Sequence, residues 1–262
     1  MLQTIIIVDS RHVVAQSFKV EAGFSTFHRF LQSAIPKYVA ICDSHSWISR
    51  PLALVVLTDK YETPTIINGR YLDTNIASKT LESAEYQLAG AACKLAAETW
   101  GSFLVVALKK IGEMLCNASL TNQPQMTAET KGRIVIYSTD VLLAGIDNGD
   151  TNTQKQFQVN AELFCAGIIA IRAKFPNMSV EIVCVSVNEL PPTSKNVLEG
   201  RNSEIIRSLQ VVLEKSLSGY VSFTVLGNSS INFEEELRRL VAAHAPVVTT
   251  KLEFPPVNGK FS

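Results

Sequence analysis

Asp9 closes the apolar run Thr4 to Val8 and is followed by Ser10, and Asp140 follows Arg133 to Tyr137 through Ser138-Thr139. Carboxylates and hydroxyls at the ends of two neighbouring strands can aim oxygen ligands at a hard cation, so Asp9, Ser10 and Asp140 form a candidate Mg or Ca site. The same residue types also cap helices and turn chains by hydrogen bonding to nearby backbone. Ser10, His12 and Asp140 also provide the three groups of a nucleophile–base–acid set, although their spacing does not single that chemistry out.

Other catalytic signatures are missing. The first strand leads into Ser10-Arg11-His12-Val13-Val14, where a dinucleotide-binding fold would place GxGxxG, and the chain has no GxxxxGK[ST]. No GxSxG elbow is present, against an α/β-hydrolase. His12, His28, His45 and His244 form no HExxH and pair with no cysteine at zinc spacing. His244 ends the last helical pattern, where a cation would suit the dipole. Lys109-Lys110 and Arg238-Arg239 read as solvated helix faces. Trp47 lies in Ser44-His45-Ser46-Trp47, a loop before a buried strand, where an exposed indole would mark a partner surface.

These residues need elements to position them. Thr4 to Val8 reads as a strand buried on both faces. Phe24, Phe27, Phe30, Leu31 and Ala34 recur at helical spacing until Pro36 interrupts the pattern. Leu52 to Leu57 is a second strand, with Thr65-Ile66-Ile67 as a short hairpin partner. Leu81, Leu88, Ala92 and Leu95 mark a helix closed by Trp100-Gly101, and Phe103 to Leu115 marks the next, with Ser102 available as N-cap. Residues 118–132 are a polar loop, and 188–202 are a turn-rich connection around Pro191-Pro192. Strands at 133–137, 180–187 and 220–226 alternate with helices carrying Phe164, Ile168 and Ile171, then Ile205 to Leu213, then Leu237 and Leu240. This alternation predicts one α/β domain over 1–262, a doubly wound, mainly parallel sheet with helices on both faces.

Composition narrows the function. The 262 residues carry 24 basic and 24 acidic side chains, a balance that argues against a dedicated nucleic-acid binder. Aromatic residues are not interleaved with basic ones, so no base-stacking platform is expected. No apolar run is long enough to span a bilayer, and the N-terminal stretch reads as a strand rather than a leader. The five cysteines, Cys42, Cys93, Cys116, Cys165 and Cys184, are odd in number and mostly lie in apolar segments, as expected of buried thiols in a reduced, intracellular protein.

The element order (a strand ending in Asp, a long helix, a strand with a small hairpin, helices, a strand ending in Thr-Asp) resembles a von Willebrand factor A-type domain. That family binds a cation through DxSxS after the first strand, a later Thr and a distant Asp. Here Asp9-Ser10-Arg11-His12-Val13 lacks both motif serines, Asp140 matches the distant Asp, and no Thr counterpart stands out. The resemblance therefore implies an adapted domain that works without a metal or other cofactor. A narrower likeness lies in Asp43-Ser44-His45-Ser46-Trp47-Ile48-Ser49-Arg50, Leu52 to Val56 and Asn68-Gly69-Arg70-Tyr71-Leu72. These are similar to the smaller von Willebrand-type core subunit of general transcription factor IIH. That subunit also carries a cysteine-rich zinc module, for which this sequence has no CxxC.

The resemblance implies a nuclear, non-catalytic scaffold. It would pair with a second, larger von Willebrand-type subunit and support the helicases of transcription initiation and nucleotide excision repair. Ser44, His45, Trp47 and Arg50 are the candidate partner-binding residues, with no direct nucleic-acid or membrane contact expected. A cation-dependent adhesion or assembly module and a small hydrolase of α/β fold are the alternatives.

Overall fold

The strand β1 (Gln3–Asp9) places three consecutive isoleucines between Thr4 and Val8, and residues 4–8 are all buried. Side chains alternate across a strand, so such a run requires cover on both faces. The computed structural model describes residues 2–9, 21–57, 64–88, 100–116, 127–139, 151–185, 211, 215, 217, 219–226 and 233–244. Within them β1 is followed by α1 (Glu21–Ser44), β2 (Ala53–Leu57), β3 (Thr65–Asn68), α2 (Thr74–Leu88) and α3 (Trp100–Cys116). Then come β4 (Gly132–Thr139), α4 (Thr151–Lys174), β5 (Met178–Val185), β6 (Val221–Leu226) and α5 (Phe233–Ala242).

The strands form one sheet in the order β3-β2-β1-β4-β5-β6. All neighbours are parallel except β3, which runs antiparallel to β2 with Val55 opposite Ile66. The α/β architecture predicted from the sequence is present, and so is the small hairpin partner. Strand order reverses between β1 and β4, which pair directly, Ile5 opposite Ile134.

Each face has its own core. Ile5, Ile7, Val55, Ile134, Ile136, Val180 and Ile182 point to one face, covered by α3 and α4 through Leu108, Ile111, Phe164, Ile168 and Ile171. Glycine lets these two helices approach closely: a Cβ added at Gly167 would lie 3.2 Å from Leu108 Cδ1. Ile6, Val8, Leu54, Val56, Val135 and Tyr137 point the other way, under α1, α2 and α5.

Several boundaries differ from expectation. Pro36 does not end α1, which continues to Ser44. Proline in a helix interior costs about 3 kcal/mol. Burial of Ile35, Tyr38, Val39 and Cys42 beyond it outweighs that cost. Trp100-Gly101 belong to α3 rather than closing the helix before it, which puts Ser102 inside the helix instead of at its cap. The start of α2 is set by Asp73, whose carboxylate accepts from Ile76 N at 2.7 Å as an N-cap. Residues 188–202 and most of 118–132 lie outside the described residues. The last part of the polar loop is a turn in which the Thr130 hydroxyl accepts from Thr127 N at 2.9 Å. Among the described residues no helix is long and apolar enough to cross a membrane.

Candidate partner-binding surface

The sheet has two ends, and the candidate residues divide between them. Asp9 is the last residue of β1, opposite Leu57 of β2, beside the point where strand order reverses. Ser10, His12 and Asp140, and the side chain of Asp9, lie outside the described residues. Ser138, near the end of β4, is fully buried and its hydroxyl has no hydrogen-bond partner. Among the described residues no group of three or more His, Cys, Asp or Glu side chains could hold a metal ion.

Ser44, His45, Trp47 and Arg50 lie at the other end, where the turn from α1 leads into the amino end of β2. The sequence folds this turn onto the helix it leaves. The Ser44 hydroxyl donates to Ala40 O at 2.9 Å, and His45 Nδ1 is 3.1 Å from Ile41 O. Ile48 N donates to His45 O at 3.1 Å, and the Ile48 side chain is buried as the anchor of the turn. Arg50 pairs with Asp43 across the turn. Trp47 stands outward, 44% exposed, with the His45 ring edge-on to it at a centroid distance of 6.0 Å and 79°. Ser44 and His45 therefore hold the turn in shape, and Trp47 offers the apolar surface.

A second turn, which the candidate list missed, joins this end. Because β3 runs antiparallel, its last residue pairs with the first of β2, Asn68 opposite Ala53. Gly69 N then donates to Leu52 O at 2.8 Å, so the turn after β3 is tied to the segment that follows Trp47. Asn68 Oδ1 accepts from Arg70 N at 2.9 Å, and the Arg70 guanidinium lies 5.4 Å from the centroid of the Tyr71 ring. Tyr71 is 62% exposed. An aromatic and an arginine directly after Asn68-Gly69 were the available signal, since a turn leaves large side chains little to pack against. Trp, Tyr and Arg are the residues most enriched where binding energy concentrates in protein interfaces.

A buried polar cluster under α5 also went unread. Thr4 and Arg133 are register partners on β1 and β4, and Arg133 Nε donates to the Thr4 hydroxyl at 3.1 Å. Its other arm donates to Leu240 O at 2.6 Å, satisfying a carbonyl of the last turn of α5. The Tyr137 hydroxyl donates to Glu236 at 2.6 Å, and Arg239 bridges Glu236 and Glu181. Burial pushes Glu236 up to about 7, while the Tyr137 hydrogen bond and the Arg133 charge act downward. Arg239 is thus an internal ion-pair residue, and only Arg238 of that pair is an exposed cation.

His244 is not a helix-end cation. It is buried, its Nε2 lies 2.5 Å from the Tyr38 hydroxyl, and burial, then the Arg133 charge, pushes it down to about 4. The neutral ring accepts from Tyr38, whose own pKa burial raises to about 12. Cys42 is buried beside Tyr38 and burial pushes its thiol up to about 11, which makes it an inert packing residue. No hydrolytic constellation lies in this cluster, because its base is committed to a tyrosine and its acids to an arginine.

No protein-family model matches the chain, and no curated protein matches it.

Proposed function

We propose that the chain is a non-catalytic scaffold of von Willebrand factor A-like type that binds a protein partner through the amino end of its sheet. The observation that carries the reading is the pairing there of two aromatic–arginine turns, Trp47 with Arg50 and Tyr71 with Arg70, on rigid, hydrogen-bonded supports. Support for the family type comes from β1 ending in Asp9, the long α1, the short antiparallel β3 beside β2, and β4 running to Thr139. On this reading the partner is a second von Willebrand-type subunit in the nuclear core of general transcription factor IIH, used in transcription initiation and nucleotide excision repair.

The test is an affinity purification of the tagged chain from its native cells, beside Trp47→Ala and Tyr71→Ala variants. Co-purification of that core with the wild type is expected, falling at least about tenfold in each variant, as for central aromatic anchors. Wild-type purification without the core, or undiminished recovery with both variants, would overturn the assignment.

A second reading rests on the position of Asp9 at the strand-order reversal, where ligands gather in open sheets. It makes Asp9, Ser10 and Asp140 the oxygen ligands of Mg or Ca in a cation-dependent assembly module. Calorimetric titration decides it: saturable heat with either cation that disappears in Asp9→Ala would favour this reading, and a flat titration would remove it.

A further inference from the structure

A helix that packs against a sheet normally turns a polar face to water. α4 does not. Phe164, Cys165, Ile168 and Ile171 form its buried face, yet Val159, Leu163 and Ile169 are 47%, 48% and 50% exposed on the other side. Ala166, Ala170 and Ala173 are exposed as well. Val159, Leu163, Ala166, Ala170 and Ala173 recur at intervals of four, three, four and three residues. That is the spacing of a coiled-coil seam, repeated over two heptads and about 21 Å of helix at 1.5 Å per residue. The seam carries no charged residue.

Its residues are graded in size. The larger side chains, Val159 and Leu163, occupy the first half and alanines the second. A parallel partner of the same sequence would set large against large and small against small, forcing the axes to diverge. An antiparallel copy sets Val159 against Ala173 of the second copy, Leu163 against Ala170, and Ala166 against itself on a two-fold axis. Large then meets small in the outer layers, and the axes can keep one spacing. The flanking charges follow the same rule. Glu162 lies beside the first half and Lys174 at the end of the second, both exposed, so antiparallel packing brings opposite signs within a turn of each other. A two-fold interface of this kind is isologous and closes at two subunits.

We infer that the outer face of α4 is a homodimerisation seam, occupied by α4 of a second copy in antiparallel orientation. One helix pair is small against the roughly 1,200–2,000 Å² of a stable interface, so the dimer is weak and concentration-dependent. This seam lies on α4, apart from the Trp47 turn, and does not depend on the function proposed above.

Sedimentation equilibrium of the full chain, from micromolar to sub-millimolar, should show a monomer–dimer equilibrium. Leu163→Glu, a surface change that leaves the thermal melt in place, should weaken it at least about tenfold by placing a charge in a desolvated layer. Under mild oxidation Ala166→Cys should cross-link to itself, because the two-fold axis brings its copies within disulfide reach. Val159→Cys and Ala173→Cys should cross-link when mixed, and neither should do so alone beyond the wild-type background. A chain that stays monomeric across that range, an unchanged constant in Leu163→Glu, or cross-linking of Val159→Cys with itself would each overturn the proposal. So would a chain that stays monomeric but takes up an unrelated amphipathic helix on this face.

Discussion

The two faces of the sheet are held by different physics. Under α3 and α4 the contact is apolar throughout, tightened where Gly167 lets Leu108 in. Under α1 and α5 the sheet also offers Thr4, Arg133, Tyr137 and Glu181, and α5 answers with Glu236, Arg239 and the carbonyl of Leu240. Apolar packing on the first face tolerates small sliding of one helix along another. The second face permits one placement of α5, because each donor has one acceptor in reach and an unpaired buried group is costly. Volume thus holds the first face and directed bonds fix the second.

The sharpest way to break the apolar face is Phe164→Ala. The ring is fully buried between α4 and the sheet, and its removal should cost about 3–5 kcal/mol, read as a fall in the denaturant midpoint. On the polar face Arg239→Met should cost roughly 2–4 kcal/mol, since it keeps volume but strands Glu236, itself 3% exposed, without its cation. Adding Glu236→Gln to that variant should recover part of the loss, whereas no charge change should rescue Phe164→Ala.

The smallest effect is in pH. An unfolded His244 takes up a proton near its ordinary 6.5 and the folded one not until about 4, so the unfolded state binds more protons in between. His244 therefore withdraws stability as pH falls from 6.5 toward 4. Glu236 works the other way: raised from 4.5 to about 7, it holds a proton in the folded state and withdraws stability as pH rises through that window. The two slopes oppose, and the wild type alone should look nearly flat between them. His244→Gln keeps an acceptor for Tyr38 and does not titrate. Relative to that variant, the wild-type melting temperature should decline progressively below pH 6.5, and parallel curves would show that His244 is not held neutral.

The contrast between faces also explains what could be read beforehand. Period-two and period-3.6 patterns report burial, so Ile5, Ile7, Ile134, Phe164 and Ile168 announced their elements and the α/β class. The hairpin partner of β2 was legible from Thr65-Ile66-Ile67 for the same reason. Arg133, Glu181, Glu236 and Arg239 looked like surface charges, because a buried ion pair has no local pattern; its partners meet only through the fold. Pro36 misled because its local cost is visible and the burial beyond it is not. Trp47 was legible as a loop aromatic, while Tyr71 became interesting only once antiparallel β3 returned the chain to the start of β2.

The Tyr38–His244 hydrogen bond spans 206 residues, and Arg133 joins Thr4 to Leu240. This matters during synthesis, which runs from the amino end. β1, α1 and β4 emerge long before α5, so the site of α5 must stand open while the rest of the chain is made. Arg133, Tyr137 and Glu181 keep that vacancy wettable, which discourages a half-made chain from sticking to its neighbours through it. Release of the last residues from the ribosome then acts as the closing step, and a chain truncated before Phe233 should be trapped at the stage just before it.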